Sequence, residues 1–152
     1  MSLEEAAKSF EPMMKLMSYM FGNLSSAFYK KYGKDALPII ARVSAKSGED
    51  MAKIVQKMTP VKNMKDIAEM YKMMMATLGE KSELAKVSDG ELHFKMSHCT
   101  MGIQGTSQQL CEAMINFDKK MVSTLLGQQI DIKIVKSLAA GDKCCEYIYS
   151  KK

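Results

Sequence analysis

Three stretches of the chain repeat apolar residues at helical spacing, and all three come before any stretch that alternates. Met13, Met17, Met20, Leu24 and Phe28 recur every three or four positions, the period that lines one face of an α-helix. Pro12 suits the first turn of that helix, a Ser2–Glu5 capping box opens a shorter turn before it, and Gly33 reads as its C-terminal cap. Ile40, Val43, Met51, Ile54 and Met58 make the stripe of a second helix. Asp35 is placed to cap it, Gly48 weakens its middle, and Thr59–Pro60 ends it. Asn63 opens a third helix, with Ile67, Met70, Tyr71, Met74 and Leu78 inward and Gly79 closing it.

Beyond Gly79 the period falls to two. Asp89–Gly90 is a two-residue turn signal. Pairing across it sets Val87 opposite Leu92, Lys86 opposite His93 and Ala85 opposite Phe94. Apolar meets apolar in that register, and polar meets polar. Leu92, Phe94, Met96 and His98 then share the apolar face while His93 points to water. Thr106 with Gln109 forms another capping box. It predicts a helix to Leu126 with Leu110, Met114, Phe117, Met121 and Leu125 as its main stripe. Two strands close the chain, Ile130–Leu138 and Lys143–Ser150, with Ile132 facing Tyr149, Ile134 facing Tyr147, and Cys145 on the tyrosines' side. The order is therefore three helices, β-hairpin, helix, β-hairpin: an α+β fold with a small antiparallel sheet, in one domain over residues 1–152.

Composition narrows the function. Apolar residues at 47% and charged residues at 26% of 152 positions give a globular balance with a core of its own. No apolar run approaches the roughly 20 residues of a membrane span. The opening MSLEEAAKSF is acidic and polar where a signal peptide is basic and then apolar. Both point to the cytoplasm. The net charge of +5 is scattered rather than gathered on one face, which argues for a solvated surface and against a nucleic-acid partner. Sixteen methionines and no tryptophan suit either a methionine-padded core or a plastic pocket or partner groove, because the thioether chain fills irregular space.

The candidate chemistry is sulfur. Cys99 ends a central strand, Cys111 lies in the first turns of the next helix, and Cys145 lies on the last strand. Strand, loop, helix and returning hairpin bring the three toward one another. Three thiolates suffice for a tetrahedral metal such as zinc, or for an iron–sulfur cluster, with His98, Asp118, Glu112 or a ligand as fourth partner. The plainer reading is that free cysteines are small buried hydrophobes. Near a helix N-terminus, Cys111 would have a lowered thiol pKa. No disulfide is expected in a reducing compartment. Paired carboxylates at catalytic spacing and a phosphate loop are both missing.

The stretch KSLAAGDKCCEYIYS, with Gly141, Asp142, Cys145 and Tyr147, resembles the ending of vinyl-4-reductase-type domains and of the related L-2-amino-thiazoline-4-carboxylic acid hydrolase-like family. MSHCTMG followed by LCEAMINFD resembles the hydrolase-like family's two cysteines and aspartate, here Cys99, Cys111 and Asp118. Thr100 stands where that family often has proline. Ile134 and Ser137 occupy places that hold zinc ligands in sensor relatives, so only Cys145 carries over from that site. The resemblance implies a domain related to the TRAPP-type ligand-binding fold, often a homodimer, with an apolar pocket between helices and sheet. Phe94, Met96, Met114, Phe117, Met121 and Tyr147, with helix-borne Met17 and Met20, are the candidate walls, and His98 with the thiols supplies polar groups. Three functions follow as expectations: a module binding or sensing a small apolar molecule or cofactor, without chemistry of its own; a hydrolase or reductase using Cys99, Cys111 and Cys145 around a metal or cluster; or a structural assembly subunit.

Overall fold

The computed structural model describes residues 3–80 and 82–152, so Ser2, half of the first expected capping box, lies outside the described residues. Helix α1 (Leu3–Tyr32) passes into α2 (Ala36–Met58) through one 3-10 turn at Gly33–Asp35. Gly33 takes a φ of +60° there, the left-handed conformation that stops a helix. Two local expectations change. Pro12 lies inside α1 and not at its start, because the helix formers of LEEAAK carry the helix through from upstream. Asp35 does not cap α2: its own φ and ψ are helical, since the turn leads straight into the helix without the extended residue a cap requires. Helix α3 (Met64–Thr77) begins as expected. Asn63 Oδ1 accepts from the Asp66 N–H at 3.0 Å, and the Asp66 carboxylate accepts from the Lys62 N–H at 2.8 Å.

Four antiparallel strands form one sheet in the order β1-β2-β4-β3. They are β1 (Ser82–Val87), β2 (Glu91–Met96), β3 (Ile130–Lys136) and β4 (Cys145–Lys151). The fold is α+β, helices first. Ile132 pairs with Tyr149 and Ile134 with Tyr147, as alternation requires. In the first hairpin Val87 pairs with Leu92 and Lys86 with His93, but a bulge then sets Leu84, not Ala85, opposite Phe94. The bulge half-buries the larger leucine and leaves the alanine outside, which removes more apolar surface from water.

The helix between the hairpins is two helices, α4 (Gln108–Met114) and α5 (Asn116–Leu126). At the break the Asn116 amide donates to the carbonyls of Glu112 and Ala113, both at 3.0 Å. A side chain thus satisfies backbone groups that the ladder leaves. The cap is Ser107, whose Oγ accepts from the Gln109 N–H at 3.1 Å. Thr106 instead turns its hydroxyl back onto the Ile103 carbonyl.

Helices α3, α4 and α5 and the inner sheet face share a core that includes Ile67, Leu92, Phe94, Leu110, Met121 and Tyr149. The two long N-terminal helices pack differently from their stripes. The inward face of α1 runs Ser18, Gly22, Ser25, Tyr29, while Met13, Met17, Met20 and Leu24 are exposed. Helix α2 buries Ala36, Ile40, Ser44, Gly48 and Ala52, leaving Val43, Met51, Ile54 and Met58 outside. Close backbone approach is the cause. A Cβ on Gly22 would sit 1.8 Å from the Met101 carbonyl oxygen, and one on Gly48 would sit 2.1 Å from that of Phe117. Only small residues fit such contacts, so the large apolar ones lie on the other side.

Candidate functional site

Alternation along β4 turns Cys145, Tyr147 and Tyr149 to the inner face, all buried. Tyr71 reaches them from α3, Cys111 from α4 and Asp118 from α5. The Tyr71 ring packs tilted against Phe94 and Tyr149, with centroids 5.6 and 5.5 Å apart. Its hydroxyl donates to Asp118 Oδ1 at 2.5 Å, and the Tyr149 hydroxyl lies close enough to interact with both groups. Further along, the Tyr147 hydroxyl lies 3.7 Å from Cys111 Sγ and also meets the Cys145 thiol. The Leu138 N–H donates to Cys145 Sγ at 3.4 Å. A row of polar groups thus crosses an apolar interior.

Burial sets the charge of that row. It pushes the Asp118 carboxyl up from 3.8 to about 6, against the opposing effect of the Tyr71 hydrogen bond. The hydroxyls of Tyr71, Tyr147 and Tyr149 are all raised by burial and stay protonated. Burial also raises the thiols of Cys111 and Cys145, so they are neutral. The lowered thiol expected of Cys111 at a helix start does not arise, because desolvation of the thiolate outweighs the helix end.

The structure brings Phe94, Met114, Met121 and Tyr147 together in the interior, with Met96 and Phe117 half-buried at its border. Met17 and Met20 stand apart on the outer face of α1, 55% and 56% exposed. His98 is also outside. Strand β2 ends at Met96, so the period of two no longer governs it, and its Nδ1 lies 3.0 Å from Glu80 Oε2 on a side chain 72% exposed. The other histidine, His93, pairs with Glu91 at 3.0 Å. Neither imidazole is placed to activate a thiol.

Cys99, Cys111 and Cys145 do come within electrostatic reach of one another. They do not fit zinc or an iron–sulfur cluster. Such a centre takes three or four ligands around one point, whereas here Cys111 and Cys145 flank the Tyr147 hydroxyl. Among the described residues no group of three or more His, Cys, Asp and Glu is arranged to hold a metal ion. Two clefts flank α5 on its outer side. One of about 290 Å³ is lined by Glu112, Ile115, Asn116, Lys119, Ile132 and Ile134. The other, of about 300 Å³, reaches Lys120, Gln129 and Lys152. Neither includes the polar row.

Tyr71 and Tyr149 are the functional candidates that periodicity passes over, because each fills an ordinary inward position. Their signal is chemical: a buried tyrosine needs a partner for its hydroxyl, and an aspartate at an inward helix position is such a partner.

The model of the L-2-amino-thiazoline-4-carboxylic acid hydrolase family matches residues 11–149. The chain belongs to that family. Of the positions that carry the family likeness, Cys111, Asp118, Cys145 and Tyr147 all lie on the polar row. No curated protein sequence matches this family member. Among solved structures, it is similar to a trafficking protein particle complex subunit 3 from Naegleria fowleri covalently bound to palmitic acid. The TM-score is 0.68 at 14% identity, over 91% of this chain and 95% of that one. It is also similar to the phenol-responsive sensory domain of the transcription activator PoxR with phenol, at TM-score 0.66 and 17% identity, over 88% of this chain and 74% of that one. These likenesses are of fold. No helix among the described residues is long and apolar enough to cross a membrane.

Proposed function

We propose that this family member is a binding and sensing module for a small apolar molecule that carries a polar group. The observation that carries the reading is the polar row inside the core: Asp118, Tyr71 and Tyr149, then Tyr147 with Cys111. Apolar walls with a few convergent polar groups are how such molecules are held and oriented. Two proteins of this fold with small molecules bound, phenol in one and palmitic acid in the other, support it. Neutral thiols and histidines paired elsewhere favour binding over nucleophilic chemistry. Four free cysteines suit the reducing cytoplasm proposed as its place.

The partner is a second copy of the chain. Apolar side chains from Phe10 to Leu24 on α1 and from Ile39 to Met58 on α2 stand about half exposed. Exposed large apolar side chains in this number are the kind of surface that a stable dimer buries.

Native mass spectrometry of the purified chain, with thermal melting against a panel of small aromatic and aliphatic molecules, tests the binding reading. Retained ligand mass, or a melting temperature that rises with ligand concentration, is the expected result. A chain that retains nothing and whose melting no compound moves would falsify it.

A further inference from the structure

We infer that the groove between α4–α5 and the edge strand β3 binds a phosphate monoester carried on a small apolar body. The site is separate from the polar row and goes beyond the reading proposed for it. Strand β3 is an outer strand of the sheet, so the space between it and the helices opens to solvent. The two clefts described above meet there, since Asn116 and Lys119 line both. Along the helices the lining runs from Glu112 through Ile115 and Asn116 to Lys119, Lys120 and Ser123. Ile134, Ile132 and Ile130 face it from β3 in the reverse order. One arm of the groove, about 290 Å³, is therefore floored by half-buried Ile115, Ile132 and Ile134. The other, about 300 Å³, is polar and cationic. Apolar walls joined to a few convergent polar groups suit one small molecule.

The cationic arm carries Lys119, Lys120 and Lys152 with Ser123 and Gln129. Lys119 meets Asp131 at 2.9 Å. Among the described residues no carboxylate pairs with Lys120 or Lys152. Glu49, on α2 within electrostatic reach of Lys120, is taken by Lys53 at 2.9 Å. The Lys152 N–H donates to the Gln129 carbonyl at 3.1 Å, which fixes that residue at the cleft. Ser123 Oγ accepts from the Ile130 N–H at 3.1 Å, leaving its own hydrogen to donate. Even with Asp131 and the main-chain carboxylate of Lys152 set against them, the three ammonium groups leave this arm positive. They are point charges reaching in from separate positions, which suits the three oxygens of a phosphoryl group. A planar carboxylate is better matched by an arginine fork, and the chain's arginine, Arg42, lines neither cleft. Glu112, at the far end of the isoleucine arm, repels the anionic head and so sets the direction in which the guest lies.

Calorimetric titration with phenyl phosphate, benzoate and inorganic phosphate tests this. Phenyl phosphate is expected to bind about fivefold tighter than either of the others, the first comparison reading the head and the second the body. Lys120→Gln with Lys152→Gln is expected to lose about tenfold in phenyl phosphate affinity. Lys62→Gln with Lys65→Gln removes the same charge from residues that line neither cleft and is expected to change the affinity by less than about twofold. All four lysines are exposed, so circular dichroism of both double variants is expected to match wild type. Vesicles containing phosphatidic acid distinguish a free phosphate ester from a lipid one. They are expected to leave the chain in the supernatant on sedimentation, because the isoleucine arm takes a ring or a short chain. Binding to those vesicles with none to phenyl phosphate overturns the inference. So does a phenyl phosphate affinity that the Lys120 and Lys152 changes leave intact, that both lysine pairs lower equally, or that inorganic phosphate equals.

Discussion

Asp118 ties stability to pH. Its carboxyl is raised from 3.8 to about 6 in the folded chain, so the folded state holds the proton more tightly than the unfolded one. The associated stability is full below about pH 4 and is lost as pH rises through about 6. Asp118→Asn keeps an acceptor for Tyr71 without the charge. It is expected to be more stable than wild type by roughly 1–3 kcal/mol at pH 8 and about equal at pH 4, by urea denaturation. A variant less stable at pH 8 contradicts this. Ser44 makes a second case. Its Oγ is buried on α2 without a hydrogen-bond partner among the described residues, so Ser44→Ala is expected to stabilise the chain by about 1 kcal/mol. The thiols sort the same way. Cys111 and Cys145 are buried and raised, while Cys99 and Cys144 are half-exposed. Iodoacetamide at neutral pH is expected to label the latter pair first, read by mass spectrometry of peptides. Prompt labelling of Cys111 would mean that its thiol is open to solvent and ionised.

Elements were legible in proportion to how local their causes are. The second hairpin keeps the two predicted pairs, Ile132 with Tyr149 and Ile134 with Tyr147, because a period of two allows only one face inward, and shifts only past Ile134, where Lys136 pairs with Glu146. The first hairpin departs at Ala85, where a bulge admits Leu84; the hydrophobic pattern marks both as apolar and does not choose between them. The break at Asn116 is equally local, yet the apolar stripe runs across it unbroken and hides it. Asn116→Ala is expected to cost about 1–2 kcal/mol by loss of both amide bonds to α4, and unchanged denaturation midpoints would show that solvent replaces them. Helices α1 and α2 show where periodicity stops informing. Met13, Met17, Met20 and Leu24 do share a face, but a stripe bound for a partner looks the same in sequence as one bound for the core. The glycines and serines that actually face inward are small because backbones meet there, which no hydrophobicity pattern records. Likewise the row from Tyr71 to Asp118 joins an α3 side chain to an α5 one across the sheet, a pairing that only the tertiary fold defines.

At the scale of the whole molecule, the proposed dimer rests on the outer faces of α1 and α2. The wild-type chain is expected to run as a dimer in sedimentation equilibrium, and Met17→Glu with Met20→Glu is expected to yield a monomer. Because both side chains are exposed in the single chain, the double variant should fold normally, with far-ultraviolet circular dichroism unchanged. A monomeric wild type rules out the dimer. Gly48→Ala asks a different question of α2. The added methyl would fall 2.1 Å from the Phe117 carbonyl oxygen, and main chain cannot yield as a flexible side chain does. A loss of at least 1–3 kcal/mol is expected, measured by denaturation; a neutral substitution would mean that α2 is free to shift.

Those glycine contacts also leave the domain without slack. Phe117 precedes Asp118, and Met101 follows Cys99 by two residues. Each rests its carbonyl directly on a helix that bears an outward apolar face, with no rotamer between them to take up play. Any displacement of α5 therefore moves α2 with it as a rigid lever, and is felt on the outside of the molecule as a change of helix angle.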